Sequence, residues 1–525
     1  MTEQGLALVA VVVASVTVAG LCRWRGISAA LPLLGAGLLL SFLPGLVGSV
    51  PAPEAVLVLL LAPLVFALAL ETSYLELKGA SRPILLLAVG LVVATTFTVA
   101  GVATWIDPSV PFAVACILGA VLAPTDAVAA STAGRSAGLP RRVLTILEGE
   151  SLVNDGTALT LLRVAVLAAA AGTVSVGEVT STLALSVLVG AGAGALAGSG
   201  VSFLLSRLDD QIVGNAAILI TPFAVYLGAE HFRGSGLLGV AVAGVWIAHS
   251  GSSRARAEVR LTSTVVWAEL AFLLEAVAFL FVGLEVRTTL DQLPNLEWTR
   301  YVAVVVAVVT VLVLTRALFV VLVRVVTPRH LRSGRRASVV VVWAGARGPV
   351  SALAAFSIPV LLQNGQPFPG RTEILAVTFG VVFLTLAISL TLGPLVRRLG
   401  FEADDESGAV GEARDRAAAA GLRRLDDLVA EARAEGMGVP DQLVDGLRRA
   451  VLLRRHIDRK EPALTETSRA WRTEMLAAER LELEMMRDEG GLADTVMREL
   501  QREIDIREAS LRSSGGSEGA SEHPR

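Results

Sequence analysis

Apolar residues in this chain run in long unbroken stretches instead of alternating with polar ones as on a surface helix. Residues 4–22, 26–53, 83–106, 179–206 and 374–396 carry no charged side chain. A helix needs roughly 20 such residues to cross a hydrocarbon core. Up to about residue 400 there are thirteen apolar segments, centred near residues 14, 35, 63, 94, 122, 158, 193, 220, 242, 275, 311, 350 and 385. Inside lipid every backbone polar group must be paired within its own segment, so spans of this kind form helices. The expected fold is an all-α polytopic membrane protein with about thirteen transmembrane helices over residues 1–400.

The pattern changes abruptly at Arg397–Glu402, where Glu402, Asp404, Asp405 and Glu406 open a region of alternating acids and arginines. Residues 401–512 read as a helical tail domain of short amphipathic helices: Leu422, Leu425 and Val429 share one face, and Leu492, Val496, Leu500 and Ile504 form another stripe. Such stripes pack on the tail itself or on a second copy, or serve a regulatory partner. Residues 513–525, rich in Ser and Gly, read as a disordered C-terminus.

Loop charge orients the bundle. Taking alternate connections, one set holds 18 basic residues and the other only Arg233, Arg287, Arg300 and Arg371. Cytoplasmic loops hold the excess of Lys and Arg. The N-terminus is therefore expected outside and the tail in the cytoplasm. The first span has no small-residue cleavage site before it and is expected to be retained. Basic residues are nearly all arginine, only Lys78 and Lys460 being lysines, a bias that suggests a GC-rich bacterial genome and hence the bacterial plasma membrane.

Composition closes other classes. Over 525 residues, 54% are hydrophobic and 18% charged, which leaves no polar shell for a soluble enzyme, a secreted disulfide scaffold or a nucleic-acid binder. Cys22 and Cys116 lie in separate apolar segments and read as small packing residues. Neither lysine follows a glycine, so there is no phosphate-cradling nucleotide motif. The glycines at 190, 192, 194, 198 and 200 sit in a 28-residue uncharged span and fit close helix packing better than a dinucleotide fingerprint.

Ionisable groups inside a membrane point to function by default. In the fifth span, Pro124, Thr125 and Asp126 interrupt an apolar run. Proline removes a backbone donor and frees a carbonyl one turn earlier, so the helix can open there and offer oxygens to a cation; an ordinary proline kink is the alternative. In the sixth span, Ser151 and Asp155 fall one turn apart on one helix face. Asn154 points about 100° away, where its amide can tie unwound backbone together. Hard oxygen ligands of this kind suit a monovalent cation better than zinc or copper. In the twelfth span a buried Arg347 needs a carboxylate, for which Glu148 and Glu150 are both candidates. Glu71, Glu269, Glu275, Glu285, Arg163 and Arg316 each read individually as structural.

These motifs resemble the bacterial monovalent cation/proton antiporter family of sodium/proton exchangers. The matching stretches are Ala123–Val128, Leu147–Asp155, Phe281–Glu285 and Trp343–Gly348, and the likeness covers essentially residues 1–400. The resemblance implies two inverted repeats, interrupted helices crossing at the midplane, a homodimer, and no cofactor beyond the transported Na⁺ and H⁺. It implies that Asp155 binds cation or proton in turn and that Asp126, Thr125 and Ser151 complete the Na⁺ site. Asn154 would steady the crossing, and Glu150 with Arg347 would form a structural ion pair. The Asn154-Asp155 pair resembles the electroneutral branch, implying one cation for one proton. Many relatives carry Glu directly after the Phe of the third span. Here Ala67 follows Phe66, and Glu71, one turn on, is the candidate substitute. A K⁺/H⁺ antiporter of the same fold, a cation channel and a sensor signalling through the tail are the alternatives.

Overall fold

The structure is a computed structural model that describes residues 2–43, 57–126, 131, 134, 138–171, 176–207, 210–254, 257–293, 297–326, 334–362, 365–401, 406–436, 440–449, 475 and 506. These residues are helical wherever they are regular, apart from one isolated bridge between Leu361 and Pro367. The chain divides into two compact units, Met1–Ala403 and Asp404–Arg525.

The first unit runs α1 (Thr2–Trp24), α2 (Ala30–Leu40), α3 (Ala62–Glu71, preceded by a wider turn over Leu57–Leu61), the short α4 (Tyr74–Gly79) and α5 (Ser81–Ile106). It continues through α6 (Phe112–Leu122), α7 (Arg141–Ala171), α8 (Val176–Arg207), α9 (Gln211–His231), α10 (Gly236–Arg254), α11 (Ala257–Asp291) and α12 (Trp298–Val326). The broken pair α13 (Arg335–Trp343) and α14 (Pro349–Phe356) follows, and α15 (Arg371–Ser389) and α16 (Leu392–Leu399) close the unit. Among the described residues, seven helical stretches are long and apolar enough to cross a membrane, and five shorter apolar helices accompany them. The protein is thus a multi-pass membrane protein.

Small residues let these helices approach backbone to backbone, which compensates for the missing hydrophobic drive between helices in lipid. A Cβ added at Gly37 on α2 would lie 2.9 Å from the Gly283 Cα on α11, and one at Gly194 on α8 would lie 2.9 Å from the Val242 Cβ on α10. Gly190 presses in the same way on Ser235, just before α10, and Gly198 on Trp246 of α10, whereas Gly192 and Gly200 have open space around them. Three of the five glycines in that run therefore serve one helix contact, spaced four residues apart as one face demands.

Helix α7 is held at its start and again past its middle. Near its start, Glu76 of α4 accepts from Arg141 Nε and from Thr145 Oγ1, each at 2.8 Å. Two turns beyond Asp155, Arg163 pairs with Glu230 of α9, whose other oxygen accepts from the Gly236 amide at 2.9 Å. Between these anchors lie Glu150, Ser151, Asn154 and Asp155, all buried.

The second unit contains α17 (Glu406–Ala434). Leu422, Leu425 and Val429 are half-buried there while the residues around them are exposed. Arg448 from the following segment pairs with Asp426 of α17 at 2.7 Å. The second expected stripe, Leu492 to Ile504, and residues 513–525 lie outside the described residues.

Candidate cation site at two interrupted helices

Two helices stop short inside the bundle. Helix α6 ends at Leu122, and residues 123–126 leave the helix at Pro124, which removes a backbone donor there. The second break lies between Trp343 and Pro349, where Gly345 and Gly348 flank Ala346 and Arg347. The two breaks meet. The Asp126 amide donates to the Ala346 carbonyl at 2.8 Å, and Arg347 Nε donates to the Leu122 carbonyl at 2.9 Å. The bare Cα of Gly348 admits the Asp126 side chain, since a Cβ there would lie 2.6 Å from Asp126 Oδ2. Gly348 is also the residue that precedes α14. The Asp126 carboxylate thus sits at the N-terminal end of a half-helix, where the backbone dipole favours negative charge.

The ends of the other two half-helices are met by arginines. Arg347 caps α6 as described, also donates to the Gly345 carbonyl, and has its own amide bonded to Thr385 Oγ1 at 3.1 Å. Arg316 of α12 reaches the Val341 carbonyl in the last turn of α13 with Nε, at 2.8 Å. Gly345 lies between them: a Cβ there would approach Arg316 Cδ at 3.0 Å and Arg347 Nη1 at 3.3 Å. Cations at helix C-termini are favoured by the same dipole that favours Asp126 at an N-terminus.

The carboxylate that answers a buried arginine is Glu150, and its partner differs from the one expected. Glu150 takes two hydrogen bonds from Arg316, Nη1 to Oε1 at 2.5 Å and Nη2 to Oε2 at 3.0 Å, with both side chains 2% exposed. Arg347, also buried, donates to backbone carbonyls through Nε and Nη1 and, among the described residues, interacts with Glu150 electrostatically without a direct hydrogen bond. The reason is geometric. Arg316 projects from an intact helix facing α7, whereas the Arg347 side chain leaves a break in the chain and turns toward the end of α6. Arg316 had a legible signal, as the lone charge between Arg300 and Arg324 in an otherwise apolar run.

Thr125 donates through Oγ1 to Glu150 Oε1 at 2.9 Å and accepts from Asn154 Nδ2 at 3.1 Å. Asn154 Nδ2 also lies 3.4 Å from the Thr125 carbonyl. The amide of α7 therefore holds the open backbone of the α6 break. Asp155 is buried on the same helix, one turn after the buried Ser151, and interacts electrostatically with Asp126. Asp126 also interacts electrostatically with Glu275 of α11, a residue that spacing alone did not single out. Two carboxylates that interact in a low-dielectric interior repel unless a cation or proton accompanies them. Among the described residues, two buried side-chain oxygens here, Asn154 Oδ1 and Ser351 Oγ, have no hydrogen-bond partner. Among the described residues no cluster of three His, Cys, Asp or Glu groups suits a tightly held metal ion.

Glu71 is not brought into this group. It is exposed at the last residue of α3, while Phe66, Ala67 and Ala69 on that helix are buried. The Phe66 ring packs 4.9 Å from that of Trp267, which fixes the rotation of α3 and leaves residue 71 on the outer side.

An all-helical membrane bundle with carboxylates where two interrupted helices meet has the architecture of a secondary transporter. The sequence comparison makes the class specific: the description "sodium/hydrogen exchanger, transmembrane" matches residues 10–398, and the chain belongs to that family of cation/proton antiporters. It is 32% identical to an uncharacterized Na⁺/H⁺ exchanger of Mycobacterium tuberculosis over 97% of this chain and 96% of that protein. It is 31% identical to a sodium, potassium, lithium and rubidium/H⁺ antiporter of Bacillus pumilus over 69% of this chain and 56% of that one. Its fold resembles the sodium proton antiporter MjNhaP1 of Methanocaldococcus jannaschii at pH 8, with TM-score 0.64, 18% identity, and coverage of 76% of this chain and 100% of that one.

Proposed function

We propose that this protein exchanges a monovalent cation, Na⁺ foremost, for H⁺ by alternating access, with cation and proton competing for Asp155. The observation that carries the reading is the buried Asp155 beside Asp126 at the junction of two interrupted helices. Asp126, Thr125 and Ser151 supply further oxygens, Asn154 holds the α6 break, and Glu150 with Arg316 and Arg347 neutralises and braces the surrounding half-helices. Only the cation-loaded and proton-loaded forms move the bundle, so competition for one carboxylate is the coupling, one cation for one proton. The protein would cross the bacterial plasma membrane thirteen times as two inverted repeats, N-terminus outside, tail cytoplasmic, and work as a homodimer.

The test is proton flux driven by Na⁺ in inverted vesicles. Asp155→Asn is expected to abolish exchange, since an amide neither takes up a proton nor carries the charge that balances a cation; exchange at the normal rate in that variant overturns the mechanism. A K⁺/H⁺ antiporter is the second reading, favoured by the breadth of cations named for the Bacillus relative. A series of Na⁺, Li⁺ and K⁺ in reconstituted vesicles separates the two.

A further inference from the structure

Two ion pairs on α7 differ in whether they can open. Arg316–Glu150 joins helices of the site itself, with both side chains 2% exposed, and parting them would strand two charges in a low-dielectric interior. Arg163–Glu230 has side chains 38% and 24% exposed, so water can take over when they part. This second pair also leaves the site. Arg163 is on α7, which packs with α5 and α6, whereas Glu230 is on α9, which packs with α8 and α10. The two groups of helices meet where α7 crosses the start of α10.

Glu230 is held on its own side. Its Oε1 accepts from the Gly236 amide at 2.9 Å, and the Ser235 amide donates to the Ser186 carbonyl of α8 at 2.9 Å. A Cβ on Gly234 would lie 2.8 Å from the Gly190 amide nitrogen of α8. The corner between α9 and α10 is thus fixed to α8, and Arg163 is the reaching partner, with Nη2 on Glu230 and Nη1 3.5 Å from the Gly234 carbonyl. When the arginine leaves, Glu230 keeps the Gly236 amide.

Between this pair and Asp155, α7 turns a plain face to the corner. Gly156, Thr160 and Arg163 follow at helical spacings of four and three, on one face. A Cβ at Gly156 would meet Leu238 Cβ at 3.2 Å and Ser235 Oγ at 3.4 Å, and the buried Thr160 hydroxyl donates back to the Gly156 carbonyl of its own helix at 2.7 Å. The polar tie across this seam is therefore Arg163, two turns and about 12 Å along the helix from Asp155. Alternating access moves one bundle of helices against another, so a tie from the site-bearing helix to the fixed corner has to part once in each cycle. Resting on the transport reading above, we propose that Arg163 and Glu230 form a latch that closes the seam leading to Asp155, made in this structure and parted when Asp155 opens to that side of the membrane.

A covalent tie separates a latch from a fixed brace, because a brace tolerates it and a latch does not. The test uses the full-length protein with Arg163→Cys and Glu230→Cys, and with Cys22 and Cys116 replaced by alanine, reconstituted in vesicles and bridged by a short bifunctional thiol reagent that a reductant releases. Na⁺-driven proton flux is expected in the unbridged pair, is expected to fall to the level of protein-free vesicles on bridging, and is expected to return on reduction. Flux that bridging leaves unchanged overturns the latch. A cysteine pair that folds but is inactive before bridging overturns it as well, since movement does not depend on the tie that restrains it. Should the cysteine pair fail to fold, access is read instead from a Thr160→Cys protein, labelled by a charged thiol reagent added to one side of the vesicles at a time. Adding Glu230→Gln, which keeps an oxygen for the Gly236 amide, is expected to speed labelling from one side at least about threefold, a factor within reach of a partly exposed pair; equal labelling with and without it refutes the latch. Parent vesicles that exchange no cation for protons defeat the transport reading instead, and the labelling still decides whether the pair governs access.

Discussion

Arg316 and Arg347 are both buried, but only Arg316 hydrogen-bonds the Glu150 carboxylate directly, and a double-substitution cycle distinguishes them. Replacing Arg316 by Met leaves Glu150 buried with the Thr125 hydroxyl as its remaining donor and frees the Val341 carbonyl. Removing one partner of a buried pair costs about 3–5 kcal/mol, whereas replacing both by apolar residues of similar volume is often close to neutral. Replacing Arg347 by Met uncaps two carbonyls and strands no carboxylate, a loss of about 1–3 kcal/mol. Melting temperatures of purified protein in detergent are therefore expected to fall further for Arg316→Met than for Arg347→Met. Glu150→Leu combined with Arg316→Met is expected to recover most of the loss, while Glu150→Leu combined with Arg347→Met recovers less, since Arg347 meets Glu150 only electrostatically. The reasoning fails if the Glu150 and Arg347 substitutions compensate each other more than the Glu150 and Arg316 substitutions do, which is the outcome that motif resemblance alone anticipates.

Gly37→Ala, whose added Cβ would collide with the Leu280 carbonyl and approach Gly283 on α11, is expected to destabilise the bundle by about 1–3 kcal/mol. Gly35→Ala, in open space on the same helix, serves as the tolerated control, and thermal melting of the pair checks the contrast. Outside the spans, hydrogen bonds from the Ser109 side chain and amide, with a smaller contribution from Arg300, hold the Asp107 carboxyl below its ordinary value of 3.8. The folded form thus releases this proton more readily than the unfolded chain. Its stabilisation is complete above the ordinary value and is lost as pH falls through the lowered one. Asp107→Asn is expected to flatten that part of the melting-temperature profile, and an unchanged acid-side slope in the variant refutes the assignment.

The break at Pro124 was legible from covalent chemistry, because proline removes a backbone donor and favours a break, and Thr125 and Asp126 follow it directly, whereas Pro222 stays inside α9. The one-turn spacing of Ser151 and Asp155 was equally legible, since helical geometry depends only on position. The break at Gly345–Gly348 was harder to read. Its cause is the meeting with α6, which requires a Cβ-free Gly348 against Asp126, and nothing within those four residues says which helix will arrive there.

Sequence by itself determined that this chain lies in a membrane, where its helices run, and which polar groups interrupt them, because in lipid an apolar span has no alternative to the helix and each buried charge is conspicuous. Tertiary structure decided which charges meet. Glu150 had two or more arginines to choose from, and the choice of Arg316 depends on the rotation of α12 and on the direction in which Arg347 leaves a broken backbone. Glu71 was one turn from a buried position, yet the packing of Phe66 on Trp267 turned it outward. Pairing is a matter of a few ångströms and of helix rotation, quantities that local propensity does not carry.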